Sequence, residues 1–299
     1  MSVARPRASL IYNPNAGRRR HGRTIEAIRA ALGVAYDVST QPTAGPGEAP
    51  RIAREAAARG DAAVFAWGGD GTIREVVEGL LGSDVMLGVL PGGTFNVVTQ
   101  AVGLPRNPVA AATLLASAKP RLRDVGLIGS TPFVMQATAG FDGFVMHHVR
   151  AEMKARFGML GVMIDGVRAL SRYRFPGFAV DVDGDPYEVT GAAFVNMAEY
   201  AGRYHFVPGA RWDDRKAHAL LYFGRTRFAA IGFAVSLGLG RHHLRRDVKI
   251  LEADEMTIRP SPSLHLQTDG DPWRGPLPAI CRLAPDQIRV LIPERPSPQ

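Results

Sequence analysis

Cysteine is almost absent from this 299-residue chain. Cys281 stands alone, so no disulfide can close within the chain and a cysteine-built zinc site is excluded. A reducing cytoplasm is the expected setting. Long apolar runs are missing too. The best of them, Ala229 to Gly240, falls short of the roughly 20 residues that span a bilayer, and residues 1–14 lack a signal-peptide apolar core of adequate length. Membrane contact is therefore expected to be peripheral. There is no Gly-x-Ser-x-Gly nucleophile elbow and no Gly-x-Gly-x-x-Gly dinucleotide fingerprint. The histidine pairs His147-His148 and His242-His243 lack the i, i+4 spacing of a helical zinc site. Acids are the minority charge, 28 against 36 Lys and Arg, for a net charge of +8. That balance favours an anionic partner. The arginines form no aromatic-interleaved patch, so nucleic acid is not the expected one.

Glycine is abundant, and its placement is the main signal. Two glycine-rich turns, Gly68-Gly69-Asp70-Gly71-Thr72 and Pro91-Gly92-Gly93-Thr94, each follow an apolar run and each open a helical pattern. Strand–Gly turn–helix units bring bare backbone N–H groups and helix N-termini to one sheet edge, where phosphates bind. Asp70 is placed to hold Mg²⁺ or orient a donor, and Thr72 to cap the helix or bond a phosphate. Glu75 reads equally as a capping-box glutamate, and Thr94 and Asn96 read singly as caps. The segment Gly17–Thr24 imitates a P-loop with Arg23 in the lysine position. A true P-loop needs that lysine to reach the phosphates, so the segment is read as an arginine cluster facing phosphate, membrane or solvent.

The pattern up to about residue 122 alternates strand and helix. Strands are expected at Ala8–Tyr12, Tyr36–Ser39, Ala62–Trp67 and Val85–Leu90, and helices at Thr24–Leu32, Glu48–Arg59, Thr72–Leu81, Thr94–Val102 and Pro108–Ala118. This order implies a parallel sheet covered on both faces. Beyond it, short apolar runs separated by Gly, Asp and Pro turns predict an antiparallel sandwich, among them Leu122–Ile128, Tyr187–Met197, His218–Phe223 and Leu264–Thr268. A helical interruption is expected over Phe144–Tyr173. Two domains follow, 1–122 and 123–299. Late in the chain, Asp269-Gly270-Asp271 offers two carboxylates across a glycine, either a general base with a metal or substrate anchor or a plain hairpin turn. Asp213-Asp214 carries the same ambiguity between metal binding and structure.

In order, these pieces resemble the diacylglycerol kinase catalytic family, particularly soluble bacterial lipid kinases related to sphingosine and ceramide kinases. The matching residues are Asn13-Pro14 with Gly17, the loop Pro42–Gly47, Gly68–Thr72 with Glu75 and Gly79-Leu80, Pro91–Asn96, Gly140-Phe141-Asp142, Pro208 with Ala210 and Asp214, and Asp269-Gly270-Asp271. The resemblance implies an N-terminal α/β domain like those of NAD kinases and phosphofructokinases and a C-terminal β-sandwich. The last strand, 287–292, would return to the first domain. It implies ATP in an interdomain cleft, bound by Asn13, Thr43, Gly68, Gly69, Asp70, Gly71, Thr72, Glu75, Gly92, Gly93, Thr94 and Asn96. Asp269 and Asp271 would be the catalytic acids, Mg²⁺ would offset charge, and Asp214 would be a metal ligand. The implied acceptor is a lipid hydroxyl, reached from the cytoplasmic face of the membrane, and a homodimer is carried as a further partner. Family members usually have Glu at the third position of the Asp-Gly-Glu triplet, where Asp271 stands here. Val97 follows Asn96 where an acid is common, Arg211 replaces a metal ligand, and Arg215 follows Asp214 where Gly is usual. The alternatives are an NAD kinase, whose Gly-Gly-Asp-Gly turn is similar, and a non-catalytic lipid- or nucleotide-binding relative.

Overall fold

The computed structural model describes residues 4–14, 21–148, 159–201 and 204–294. Gly17 and the first half of the P-loop-like segment, residues 17–20, lie outside them. The chain divides into two compact units, residues 1–123 with 286–299, and residues 124–285.

In the first unit, strands β1 (Arg7–Tyr12), β2 (Asp37–Pro42), β3 (Ala63–Gly68) and β4 (Met86–Pro91) alternate with helices α1 (His21–Leu32), α2 (Ala49–Ala58) and α3 (Asp70–Leu80). The short α4 (Val97–Ala101), α5 (Pro108–Leu115) and β5 (Lys119–Arg123) follow. β2, β1, β3 and β4 run parallel in that order. All six residues of β3 are buried, as a strand covered on both faces requires. Leu10, Ile11, Phe65, Leu87 and Val89 in the sheet pack with Ile28, Leu32, Ile73, Val76 and Val77 from the helices to form the core. A strand from the far end of the chain, Ile288–Ile292, inserts between β4 and β5, parallel to the first and antiparallel to the second.

The second unit is antiparallel. It contains β6 (Gly126–Ile128), β7 (Thr131–Phe133), β8 (Gln136–Gly140), α6 (Phe141–His148), α7 (Met159–Arg172), β9 (Phe178–Val182), β10 (Asp185–Val189), β11 (Gly191–Val195), β12 (Glu199–Tyr200) and β13 (Tyr204–His205). After these come β14 (His218–Tyr222), α8 (Arg227–Gly238), β15 (Val248–Glu252), β16 (Glu255–Ile258), β17 (Leu266–Thr268), β18 (Asp271–Trp273) and β19 (Ala279–Leu283). Two sheets form, ordered β10-β9-β16-β19-β6-β7 and β15-β14-β11-β8-β17-β18. Alternate residues of both, such as Phe178, Val180, Met256 and Cys281 from one and Ala139, Phe194, Leu221 and Leu266 from the other, share one core. That is a sandwich. The outer face of the second sheet carries a smaller core of Ala193, Val195, Phe206, Leu220 and Val248, against which Phe233 and Leu237 of α8 pack. No described helix is long and apolar enough to cross a membrane.

Several boundaries differ from the sequence expectation. The run Leu122–Ile128 is not one strand. Fully buried Asp124 breaks it by accepting bonds from the Arg215 backbone N–H (2.9 Å) and guanidinium (3.1 Å). Tyr187–Met197 splits at Thr190, where the chain changes sheets and the Thr190 hydroxyl donates to the Gly224 carbonyl. The helical interruption begins earlier, at Phe141. Helix α8 lies where only an apolar run is legible.

Wholly or partly buried histidines are expected to make the second unit sensitive to acid. His242 is fully buried and its Nε2 lies 2.7 Å from the Phe206 carbonyl, while its Nδ1 has no partner. Burial holds its pKa below the ordinary value, and burial does the same to His218 and His265. A depressed folded-state pKa means the unfolded chain binds the extra protons first as pH falls below about 6.5. Stability is therefore full above that pH and declines below it. A lower melting temperature at pH 5.5 than at pH 7.5 is expected, with the difference narrowed in His242→Gln. Equal slopes for the two proteins would dismiss His242 as a source.

Candidate functional site

The parallel strands place four sequence-predicted segments on one edge. β2, β1, β3 and β4 end respectively just before Thr43, Asn13, Gly69 and Gly92. Thr43 N–H donates to the Tyr12 carbonyl (2.9 Å) and Asn13 N–H to the Trp67 carbonyl (3.3 Å), which ties the ends together. Strand order reverses between β1 and β3, and the crevice at such a point is the usual ligand site of an open α/β sheet.

The two glycine turns lie backbone against backbone. Gly92 N–H donates to the Gly68 carbonyl (2.9 Å), and a Cβ added to Gly93 would stand 2.5 Å from Gly69 Cα. Thr72 folds over Gly68, whose own Cβ would meet its side chain at 2.6 Å. Glycine is thus required by close approach, and the backbone is what this edge presents. Gly93→Ala is expected to push the turns apart and weaken binding of the phosphate-bearing ligand expected at this edge by about tenfold or more, roughly 1.4 kcal/mol. An ATP titration giving the same affinity as the unsubstituted chain would contradict that packing argument.

The side chains shape these turns more than the sequence suggests. Asn96 adopts a left-handed backbone (φ 51°) and starts α4 without a side-chain cap, so the expected helix from Thr94 begins only at Val97. Its Oδ1 accepts from the N–H groups of Gly92 (3.2 Å) and Gly93 (2.7 Å), and its Nδ2 donates to the Gly93 carbonyl (2.8 Å). Those two N–H groups are consequently taken, contrary to the expectation of bare donors in both turns. Asp70 Oδ1 accepts from Val98 N–H (3.1 Å), linking the first turn to α4. Glu75 is not a capping-box residue. The N-cap is Gly69, which puts Glu75 six residues into the helix, and its Oε1 accepts from Gly47 N–H (2.9 Å). It fixes the Thr43–Gly47 loop. The first N–H groups of α3, those of Gly71 and Thr72 among them, have no intrahelical acceptor by helix geometry, and the glycine N-cap supplies none. Thr94, beside them in the second turn, is exposed.

The second unit holds the other predicted residues. Asp269 and Gly270 are consecutive positive-φ residues (50° and 87°) joining β17 to β18, with Thr268 opposite Asp271. This is a two-residue hairpin of type I′. The Asp269 carboxylate is buried and accepts three backbone N–H bonds, from Val134 (2.6 Å), Met135 (2.8 Å) and Gln136 (3.1 Å). Its oxygens are thereby engaged in holding the chain. Asp271, the next acid, opens β18 and is half-buried. A polar network fixes this hairpin. Gly270 N–H donates to Gln267 Oε1 (2.7 Å), and Gln267 Nε2 donates to Asp142 Oδ2 (2.7 Å) and Thr138 Oγ1 (2.8 Å). Tyr200 donates its hydroxyl to Asp142 Oδ1 (2.9 Å), and burial with the adjacent carboxylate pushes its pKa well up, so it stays a donor. Gln267, Thr138 and Tyr200 were missed in the sequence, and no local pattern marks them.

Asp214 does not gather companions. Its Oδ1 accepts from Lys216 N–H (3.1 Å), and among the described residues no group of three His, Cys, Asp or Glu side chains could hold a metal ion. Arg215 takes the left-handed backbone (φ 60°) that the usual glycine would adopt freely, with its guanidinium on Asp124.

Comparison with known proteins covers nearly the whole chain. Residues 7–128 match the diacylglycerol kinase catalytic domain, and residues 135–292 match the YegS C-terminal NAD kinase beta sandwich-like domain. The diacylglycerol kinase of Bacillus subtilis (strain 168) is 27% identical over 299 residues, covering 98% of each chain. A Pseudomonas fluorescens protein named "Probable lipid kinase YegS-like" is 29% identical over 278 residues, covering 90% of this chain and 89% of its own. A crystal structure of a diacylglycerol kinase from Bacillus anthracis str. Sterne superposes with a TM-score of 0.79 at 24% identity, over 96% of this chain and 97% of that one. At that identity the likeness speaks for the fold.

Proposed function

The chain belongs to the diacylglycerol kinase family of lipid kinases, which use ATP, and from that premise we propose that it transfers the γ-phosphoryl group of ATP to a hydroxyl of a diacylglycerol-like or sphingoid lipid at the cytoplasmic face of the membrane. The observation that carries the reading is the pair of glycine turns packed backbone against backbone at the strand-end edge of the first unit, ahead of α3. In the second unit Asp269 accepts from three backbone donors, and Asp271 stands at the head of a strand whose turn is locked by Gln267 and Asp142.

In this reading the first unit holds the donor. The start of α3 offers N–H groups and the positive end of the helix dipole to the phosphates. The close-packed glycines let the nucleotide approach the backbone, and Glu75 and Asn96 hold the flanking loops. Phosphoryl transfer asks for positioning and charge stabilisation. Asp271 accepts the proton of the lipid hydroxyl as its oxygen attacks phosphorus in line, and ADP leaves with the β–γ bridging oxygen. Mg²⁺ belongs to the reading as the companion of ATP, an ion that keeps several waters and uses one or two carboxylates beside the phosphates. The described residues build no carboxylate cage for it, and no step is assigned to it.

The test is ADP release by purified protein, with the lipid product identified by mass spectrometry across a panel of diacylglycerols and sphingoid bases in mixed micelles. Release only when lipid is supplied is the expected result. ATP-dependent conversion of NAD to NADP, or tight ATP binding with no transfer to any lipid, would overturn it.

A further inference from the structure

Helix α8 is apolar on two opposite faces, and only one is used by the fold. Phe233 and Leu237 point inward, where Phe233 packs on Phe206, Tyr222 and His242. At 100° per residue, Phe228, Ile231, Val235 and Leu239 fall on the opposite side as one continuous stripe. They are 86%, 47%, 58% and 68% exposed, and no residue of the helix is fully buried. Leu244, in the turn that follows, is 71% exposed. Isolated surface apolar side chains need no explanation, but a contiguous stripe of four marks a contact.

Charge identifies the occupant. Between Gly224 and Ile250 six Lys or Arg residues stand against one acid, Asp247, which is engaged by Arg245. Exposed Arg225 precedes the helix and exposed Arg241 and Arg246 follow it, and none of the three makes an ion pair among the described residues. Arginines rimming an apolar stripe suit an anionic bilayer, where the stripe enters the acyl boundary and the guanidinium groups meet headgroup phosphates. Two copies of this chain meeting through the same patch would bring the arginines of one against those of the other.

We propose that the outward face of α8, with Phe228, Ile231, Val235, Leu239 and Leu244 as inserted groups and Arg225, Arg241 and Arg246 as headgroup contacts, docks the protein on an anionic lipid surface. The inference rests on the lipid-kinase reading only for the purpose of the docking. The surface itself is tested without ATP or turnover.

The full chain is floated with vesicles of phosphatidylcholine alone or mixed with phosphatidylglycerol. Wild-type protein is expected to float with the anionic vesicles and to detach at high salt, where surface charge is screened. Phe228→Ser with Val235→Ser should lower vesicle partitioning by about tenfold or more, because two exposed apolar groups no longer insert. Arg241→Gln with Arg246→Gln should weaken binding to anionic vesicles and flatten its salt dependence. Both double variants should melt like the wild type, since all four side chains are exposed. Turnover of a short-chain diacylglycerol dispersed as monomers should be unaffected by the Phe228→Ser, Val235→Ser pair, while turnover of vesicle-borne lipid falls. The proposal is overturned if wild-type protein does not float with anionic vesicles, if the double variants float like wild type, or if sedimentation shows a dimer that the Phe228→Ser, Val235→Ser pair dissolves. A protein that floats as expected yet phosphorylates no lipid would overturn the kinase reading alone.

Discussion

Asp271→Asn is expected to lower kcat for lipid phosphorylation by about 10²- to 10⁴-fold, the range that a positioned general base contributes. The melting temperature should stay close to wild type. Asparagine keeps the shape of the side chain and the extended backbone opening β18, and the turn before it is held by Gln267 through Gly270, not by Asp271 itself. Only the ability to take up the hydroxyl proton is lost. The KM for ATP should hardly move, because the nucleotide-binding residues proposed above all belong to the first unit. Asp271→Glu restores the residue usual in the family and is expected to retain far more turnover than the asparagine variant. Steady-state ADP release in mixed micelles reads both. Full turnover in Asp271→Asn would remove it from the chemistry.

The neighbouring acid should behave in the opposite way. Asp269→Asn is expected to destabilise the second unit by about 3 kcal/mol or more, since hydrogen bonds to a charged group are worth about 1.5–3 kcal/mol each and an unsatisfied buried donor costs a similar amount. The carboxylate accepts from Val134, Met135 and Gln136 at once. An amide offers a single oxygen and turns an N–H₂ donor toward N–H groups that need an acceptor. Asparagine tolerates the left-handed backbone at this position, so the substitution isolates the loss of acceptors from backbone strain. For a domain of this size each kilocalorie moves the melting temperature by about 2–4 °C, so a drop near 10 °C is anticipated. Activity lost on heating should track unfolding. A variant that melts like wild type and has lost turnover would return Asp269 to the catalytic machinery.

These two expectations separate residues that look equivalent in the sequence. Asp-Gly-Asp reads as two carboxylates across a glycine, and nothing local tells what each will bond. The proposed division of labour rests on Asp269 turning back onto backbone donors more than 130 residues earlier in the chain. Gln267, Thr138 and Tyr200 escaped notice for the same reason. Each is an ordinary polar residue on a strand, and it becomes part of a network only when β8, β17 and the β12 segment bring it to Asp142.

Glu75 and Asn96 teach a related lesson. Both were legible as residues near a phosphate-binding turn, and both are there. Their partners could not be read, because Glu75 reaches a loop 28 residues away and Asn96 folds back on its own turn. A capping box and an N-cap are defined by helix starts, and the starts fall at Asp70 and Val97. The helix beginning at Arg227 was hidden because its residues are apolar on two faces, which erases the one-sided period that marks a surface helix.

What the sequence determined by itself is what depends on short-range pattern. Apolar runs alternating with helical periods dictated a parallel sheet, short runs between turn residues dictated an antiparallel sandwich, and paired glycines at strand ends marked the edge on which the turns gather. Each is a local signal, because strand alternation, helix period and glycine backbone freedom act over a few residues. Tertiary structure alone decided what the Asp269 carboxylate bonds, which N–H groups are taken, and which apolar face of α8 is left to solvent. Those outcomes depend on groups far apart in the chain competing for the same hydrogen bonds and the same buried surface, and that competition is settled only when the chain has folded.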